Sequence, residues 1–311
     1  MDFELREPGS EDLPVLRNIW ETVFGKEDAS IFFMTYFGTG SCIAAVTKGI
    51  LSASGYVFPV GDLIVGDMVL RCGMIYGVAT LPGYRRHGLG AAVVRALIKK
   101  GYETGYQAII LRPSEDSLFE YYNARAGFND WFYAKERVYC KLSTEKPGTI
   151  NATDASFNIY SNTITGVDIK IDQITPDEYS SIRNSLLRGT PHLKHDMRAL
   201  EYQEHLCRIY DGGFYRILTP SGTVYAIIER QKDSSVYMKE LLAPGTNATL
   251  PDDTAVLSAV STVFPMNEYI IRTPVPYNDH DIRRFGMIVS PFIDSNTKIG
   301  SMAPWFGPAF D

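Results

Sequence analysis

The chain has 311 residues, of which 45% are hydrophobic and 21% charged, as is typical of a soluble globular protein of roughly two domains. This composition excludes disordered, collagen-like and coiled-coil chains. Thirty lysines and arginines stand against 36 acidic residues, and the net charge of −6 has the wrong sign for binding nucleic acid through its phosphates.

Cysteine usage and hydropathy indicate the compartment. The four cysteines, Cys42, Cys72, Cys140 and Cys207, lie far apart with no C-x-x-C pair, which argues against both a disulfide framework and a zinc knuckle. The opening residues MDFELRE lack an apolar signal segment, and no run approaches the roughly 18 apolar residues that span a membrane. We therefore expect a cytoplasmic protein with neither a membrane nor a nucleic-acid partner.

The first half predicts an alternation of strands and helices. Residues 3–5 alternate as a strand does, and Ser10 is expected to cap a helix with apolar residues at helical spacing. A strand-rich stretch over 42–80 is expected to break at Gly49, Gly55 and Gly61. A helix over 88–100 and a strand over 108–111 are expected to follow. This order predicts a mixed sheet with a crossover helix, an architecture in which ligands bind where strands diverge.

A stretch rich in Ser, Thr, Asn and Gly divides the chain. Residues 146–166 are predicted to link two domains, 1–145 and 167–311. The second half begins as the first does, with a strand at 169–171 and a capping box formed by Thr175 and Glu178 at the start of a helix. Strands over 214–218, 223–229 and 236–242 and a helix over 254–263 are expected to follow.

Three landmarks recur at nearly constant offsets. Pro-Gly ends at residues 83 and 245, an offset of 162, and AIILRP and YIIRTP end at residues 113 and 274, an offset of 161. Arg125-Ala-Gly-Phe is echoed by Arg284-Phe-Gly-Met at an offset of 159. These offsets indicate a duplicated α/β unit, although Pro and Gly could also punctuate two unrelated domains.

The strongest chemical signal is VATLPGYRRHGLG over residues 78–90, which runs from a strand into a helix. Gly88 and Gly90 each destabilise a helix by about 1 kcal/mol relative to Ala, so both need a reason. Without side chains, the unpaired N–H groups of a first helical turn can contact a phosphate. Arg85 and Arg86 add positive charge; the alternative is an exposed basic helix start with glycines for tight packing.

Other phosphate loops fit less well. A nicotinamide fingerprint would need Gly or Ala where Val93 stands, and the Lys-Ser/Thr of a triphosphate loop is missing, so a two-domain nucleotide-binding module rests on the glycines alone.

In this strand–loop–helix context, Arg-x-x-Gly-x-Gly resembles the acetyl-CoA loop of the Gcn5-related N-acetyltransferases (GNAT), with Pro82, Tyr84 and Gly127-Phe128 also matching. The resemblance implies an α/β fold with a mixed sheet, built of two tandem GNAT-like acyl-CoA N-acyltransferase units that use acetyl-CoA as co-substrate. The residues that it assigns to acetyl-CoA are Val78, Ala79, Thr80, Arg85, Arg86, His87, Gly88, Leu89, Gly90 and Ala91. The strand residues would pair with the pantetheine arm and the loop amides would hold the pyrophosphate.

The second unit departs from the pattern. After Pro244-Gly245 come Thr246-Asn247-Ala-Thr, with no arginine pair and no G-x-G. We therefore expect a degenerate second unit and one acetyl-CoA site per chain.

The resemblance also implies a tyrosine as general acid, four residues before the Gly-Phe pair. Asn123 holds that place, so the role goes to Tyr122 if one residue is inserted, with Tyr121 as the alternative. A tyrosine on an amphipathic helix can equally be a core residue. The base stays unassigned, because Glu115, Asp116 and Glu120 are equally typical of solvated helix-start charges.

His192 and His195, spaced i, i+3 beside Asp196, are interpreted as a polar helix face rather than metal ligands, and no metal is expected. The chain is also similar to the enhanced-intracellular-survival type of acetyltransferase, whose terminus enters the active site. The apolar stretch 302–310, followed by Asp311, is expected either to present a terminal carboxylate there or to pack Trp305 and Phe306 on the second unit.

The leading hypothesis is an acetyl-CoA-dependent N-acetyltransferase, in which a primary amine of a small acceptor attacks the thioester directly. The acidic net charge favours a cationic acceptor. The second unit would wall the acceptor cleft or form a subunit interface, which leaves a homo-oligomer open. The alternative is a regulatory protein that binds acyl-CoA without efficient turnover.

Overall fold

The computed structural model describes residues 2–141, 156–157, 170–220, 222–231, 234–244, 253–294, 297 and 300–310. We call residues 2–141 the first half and the described residues from 170 to 297 the second half; the segment 300–310 follows the second half and is named separately. The first-half elements are β1 Glu4–Arg6, α1 Leu13–Phe24, α2 Lys26–Thr35, β2 Ser41–Thr47, β3 Ile50–Val65, β4 Met68–Thr80, α3 Leu89–Glu103, β5 Ala108–Leu111, α4 Ser117–Ala126 and β6 Asn129–Lys141. Strand β7, Ser156–Phe157, pairs with β6. The second-half elements are β8 Lys170–Ile174, α5 Pro176–Leu186, β9 His192–His195, α6 Met197–Ile209, β10 Gly213–Thr219, β11 Gly222–Arg230, β12 Ser235–Leu242, α7 Asp253–Val263, β13 Glu268–Thr273 and β14 Arg283–Val289.

Local hydrogen bonds fix the starts of α5 and α1, and the start of α1 differs from the prediction. Thr175 caps α5 as predicted, because its side-chain oxygen accepts from the Glu178 N–H at 3.2 Å. Ser10 does not cap α1; it lies in a 3-10 turn, Ser10–Asp12, that precedes the helix. Asp12 fixes this turn by accepting from the Gly9 N–H at 2.8 Å and from Arg6 Nη2 at 2.9 Å.

Two of the three glycines expected to end strands do not end them. Strand β3 runs unbroken through Gly55 and Gly61, whereas Gly49 and Gly66, both with positive φ, turn the chain. The β3–β4 register shifts beside Gly55 and Gly61. Each glycine therefore marks a β-bulge, which bends a strand while pairing continues.

The sheet joins the two halves. Its strand order is β1-β2-β3-β4-β5-β14-β6-β13-β12-β11-β10-β8. Strand β14 of the second half pairs with β5 of the first, and β6 of the first half pairs with β13 of the second. Each half thus contributes its last strand beside the other half's central strands, and the predicted mixed α/β fold is confirmed. The boundaries 1–145 and 167–311 stay a prediction, and the linker 146–166 lies outside the described residues apart from β7.

The repeat is visible in the order of elements. Pro82 follows β4 and Pro244 follows β12, while Pro113 and Pro274 follow β5 and β13. The first two landmarks therefore lie at equivalent places.

The third predicted equivalence, between the segments around Gly127 and Gly286, is wrong. Gly127 caps the end of α4 with φ of 73°, whereas Gly286 lies inside β14. A Cβ at Gly286 would stand 2.6 Å from the Phe306 ring, so packing requires that glycine. Between β13 and β14, where residues 274–282 are all described, the second half has no helix equivalent to α4.

The two histidines are also not on a helix. His192 and His195 form the ends of β9, which pairs antiparallel with β3, and both are buried. His192 Nδ1–H donates to the Thr190 carbonyl at 2.7 Å.

Among the helices of the described residues, none has the length and the hydropathy of a membrane span.

Candidate active site

A cavity opens where two parallel strands separate. Strands β4 and β5 pair only over residues 72–74, and beyond this point the gap widens into a cavity of about 350 Å³. Its walls come from β4, the end of β5, helices α1, α2 and α4, and the segment 309–310. The lining residues are Trp20, Phe24, Asp28, Ile75, Tyr76, Gly77, Val78, Leu111, Arg112, Ser114, Leu118, Tyr122, Ala309 and Phe310.

Strand β4 carries a bulge at the cavity. Its pairs with β3 move from Tyr56–Tyr76 to Ser54–Ala79, which leaves Gly77 and Val78 without counterparts. Gly77 has φ of 59°, and a Cβ there would stand 2.0 Å from the Trp20 ring. The glycine therefore lets Trp20 pack against the strand. Within the described residues no strand pairs with β4 over 75–80 on the β5 side, so that edge is open to an extended ligand chain.

The predicted phosphate loop leads from this edge into α3. Gly88 precedes the helix in the left-handed conformation, with φ of 82°, and no described side chain caps the helix. The first amide of the helix in an intrahelical bond is that of Ala92, which donates to the Gly88 carbonyl at 3.0 Å. The amides of residues 89–91 are therefore left for an external acceptor. A phosphate fits these residues.

No side chain covers the start of α3 at Gly88. Residues 85–88 are exposed, and nothing lies within 4 Å of a Cβ built at Gly88. At Gly90 the nearest groups would be Tyr121 Oη at 3.5 Å and Thr80 Oγ1 at 3.7 Å. Arg85 Nε donates to the Thr80 carbonyl at 3.1 Å, which folds the loop back over the end of β4.

The remaining predicted cofactor residues divide by burial. Val78 lines the cavity, whereas the side chains of Ala79, Leu89 and Ala91 are buried in the core. These three are able to offer only backbone groups to a ligand. Arg86 and His87 are exposed, and Arg86 has a positive φ of 68°.

The two candidate tyrosines face different parts of the site. Tyr122 lines the cavity, and burial, with a smaller effect of Tyr121, raises the pKa of its hydroxyl to about 12. Tyr121 instead places its hydroxyl beside Gly90. Asn123, at the place where the resemblance expected the tyrosine, donates from Nδ2 to the Phe128 carbonyl at 2.8 Å and so holds the end of α4.

The sequence did not predict several of the residues that line the cavity. Trp20 and Phe24 follow each other at i, i+4 on α1, a spacing that indicates one helix face but not which face meets a cavity. Asp28 is the only carboxylate among the described lining residues, and Tyr76 and Arg112 flank the gap from β4 and the end of β5. No local signal marks these residues, because they meet only in the folded chain.

The segment near residue 310 is buried and extends to the cavity. Trp305 and Phe306 are fully buried and both pack against Phe285 of the second half, but Phe306 also packs against Phe132 of the first half, so the pair does not pack on the second unit alone. Farther along, the Phe310 carbonyl accepts from Tyr76 Oη at 2.9 Å, and its N–H donates to Gln203 Oε1 at 3.2 Å. The expected role of Asp311 lies outside the described residues.

Comparison with known proteins identifies the fold. Residues 4–127 match the model of the acetyltransferase (GNAT) domain. Among solved structures, a probable N-acyltransferase from Enterococcus faecalis is similar with a TM-score of 0.61 at 11% identity, over 93% of this chain and 73% of that chain. Eis1 from Mycobacterium abscessus is similar with a TM-score of 0.56 at 14% identity, over 93% and 73%.

A tandem GNAT protein from the clavulanic acid biosynthesis pathway is similar with a TM-score of 0.52 at 11% identity. The match covers 94% of this chain and 100% of that chain. No curated protein matches. Residues 4–127 thus match a GNAT domain, and the chain as a whole has the tandem GNAT fold.

Proposed function

We propose that this protein is an acetyl-CoA-dependent N-acetyltransferase that acylates a primary amine of a small acceptor. The observation that carries the proposal is the continuity of three features: the uncapped start of α3, the open edge of β4 and the cavity beside it. A pyrophosphate at the helix start and a pantetheine arm along the strand would bring a thioester to the cavity.

The cavity wall supports a cationic acceptor with an apolar body. Aromatic rings of Trp20, Phe24, Tyr76 and Phe310 line the cavity together with Asp28. A carboxylate among aromatic rings attracts an ammonium group through its charge and through cation–π contacts. The single carboxylate favours an acceptor with one ammonium group near the reaction centre over a polycation.

The reaction needs the neutral amine. Its nitrogen attacks the thioester carbonyl carbon, the C–S bond breaks, the amine loses a proton, and the departing thiolate takes one up. Tyr122 is the proposed donor to the thiolate, because it lines the cavity and its raised pKa keeps the hydroxyl protonated at neutral pH. Glu115, Asp116 and Glu120 do not line the cavity, and Glu120 pairs with Arg284 at 2.6 Å. The base remains unassigned.

Calorimetric titration with acetyl-CoA tests the cofactor site. We expect one molecule per chain, and a Gly90→Val variant that folds normally but binds at least about tenfold more weakly, because its side chain covers the free amides. Gly83→Ala is the matched control, since it lies in the same loop with nothing within 4 Å of its Cβ. Two bound cofactors per chain, or equal binding by both variants, would contradict the proposal.

A panel of primary amines tests the transfer step. Asp28→Asn keeps the shape of the cavity, and we expect the amine KM to rise by about tenfold or more while the acetyl-CoA KM stays the same. Acetyl-CoA binding with only slow hydrolysis across the whole panel would instead favour the regulatory alternative.

A further inference from the structure

The segment 303–310 is bonded to both halves along its length. From the first half, the Tyr133 N–H donates to the Pro304 carbonyl at 3.0 Å. From the second half, the Pro191 carbonyl accepts from the Trp305 N–H at 2.8 Å, and the Leu193 N–H donates to the Trp305 carbonyl at 2.9 Å. The segment therefore runs as a buried connection between the halves before it reaches the cavity at Phe310.

A buried ion pair of the second half lies against this segment. Arg183 Nε on α5 and Glu240 Oε2 on β12 are 2.9 Å apart, with side-chain exposures of 1% and 0%. Glu240 also accepts from Tyr179 Oη at 2.6 Å and from Trp305 Nε1. Glu240 thereby ties the indole of the segment to the core of the second half.

Gly307 shows how closely the segment passes. It has φ of 81°, and a Cβ there would stand 2.3 Å from Arg183 Nη2 and 2.7 Å from Glu240 Oε1. Three residues later, Gln203 on α6 accepts from the Phe310 N–H. These contacts fix the backbone on both sides of the last turn into the cavity.

We propose that the second half positions Phe310 in the acceptor cavity, with Glu240 and Gln203 as positioning residues that act through the segment 303–310. The function of the cavity rests on the proposed acetyltransferase activity, whereas the hold on the segment does not. This gives the second half a defined role without a cofactor of its own: it sets one wall of the acceptor site and leaves the helix start of α3 untouched.

Gly307→Ala tests the inference, because it removes no cavity group but pushes the segment from the ion pair. Gly300→Ala is its matched control: Gly300 also has a positive φ, of 62°, but nothing lies within 4 Å of its Cβ. We expect hydrogen exchange in residues 303–310 to become faster in Gly307→Ala than in Gly300→Ala. We also expect kcat/KM for the amine to fall by about tenfold to a hundredfold, with acetyl-CoA affinity within about twofold of wild type.

Gln203→Met supplies a second comparison if Gly307→Ala does not fold. It removes the acceptor for the Phe310 N–H. Cys207→Ala is its control, because Cys207 Sγ accepts from Gln203 Nε2, at 3.4 Å, and does not contact the Oε1 atom that holds Phe310. Equal exchange and equal kinetics within each pair would overturn the inference. If wild type acetylates no amine, the proposed function fails, and equal or unequal exchange within the pairs still decides whether the second half holds the segment.

Discussion

Tyr76 Oη donates a 2.9 Å hydrogen bond to the carbonyl oxygen of Phe310, a residue 234 positions later in the chain. Both residues line the cavity beside the open edge of β4. The bond links the strand that is proposed to hold the pantetheine arm with the segment held by the second half. The position of one cavity wall therefore depends on both halves of the molecule.

Tyr76→Phe removes this bond without changing the shape of the ring. We expect the free energy of unfolding to fall by about 1 kcal/mol, since the Phe310 carbonyl loses its donor in a buried place. The amine KM is expected to rise while acetyl-CoA binding is retained. Urea denaturation and steady-state kinetics measure the two effects. Tyr102→Phe, on α3 and outside the cavity lining, should change neither, and equal effects of both substitutions would contradict the role of the bond.

Tyr122→Phe is expected to lower kcat by about a hundredfold or more, because general acid catalysis contributes factors of that size. Tyr121→Phe should affect acetyl-CoA affinity more than kcat, since its hydroxyl lies beside Gly90. Burial raises the pKa of Tyr122 to about 12, so the acid stays protonated and kcat should not fall between about pH 8 and 10 through its ionisation. If both variants keep the wild-type kcat, the proton comes from another group or from water.

Glu240→Gln is expected to destabilise the protein by about 3–5 kcal/mol, because it leaves the Arg183 cation buried without its counter-charge. The comparison is Glu21→Gln, which breaks the exposed α1 pair between Arg17 and Glu21, 3.0 Å apart, and should change stability by about 0.5 kcal/mol or less. Urea denaturation of both variants gives the values. A small effect at Glu240 would mean that the buried pair does not anchor the second half.

Stability should decline as the pH falls below neutrality. Burial, and then the charge of Arg183, lowers the pKa of His192 from 6.5 to about 4 in the folded protein. Between these values the unfolded chain binds the proton and the folded chain does not, so acid favours unfolding. Thermal unfolding from pH 7.5 to 4.5 should show this loss, and His192→Gln should make it shallower, whereas exposed His87→Gln should not. Equal slopes in all three proteins would contradict the assignment.

The sequence by itself predicted features that short stretches of chain control. The Thr175 cap and the strand–loop–helix around Gly88 follow from the preferences of a few neighbouring residues. The paired prolines after β4 and β12 likewise indicated the repeated order of elements before any contact was known. Local backbone chemistry suffices there, because helix starts and turns depend on residues within about four positions.

Tertiary structure alone decided the rest. The exchange of β6 and β14 between the halves joins residues far apart in sequence, and both strands keep the same hydrophobic pattern whichever partner they take. Gly286 is required by the ring of Phe306, and Phe310 reaches Tyr76 only through the packing of the second half. Periodicity reports which face of an element is buried but not what it is buried against, so the residues that close the cavity emerge only when distant elements meet.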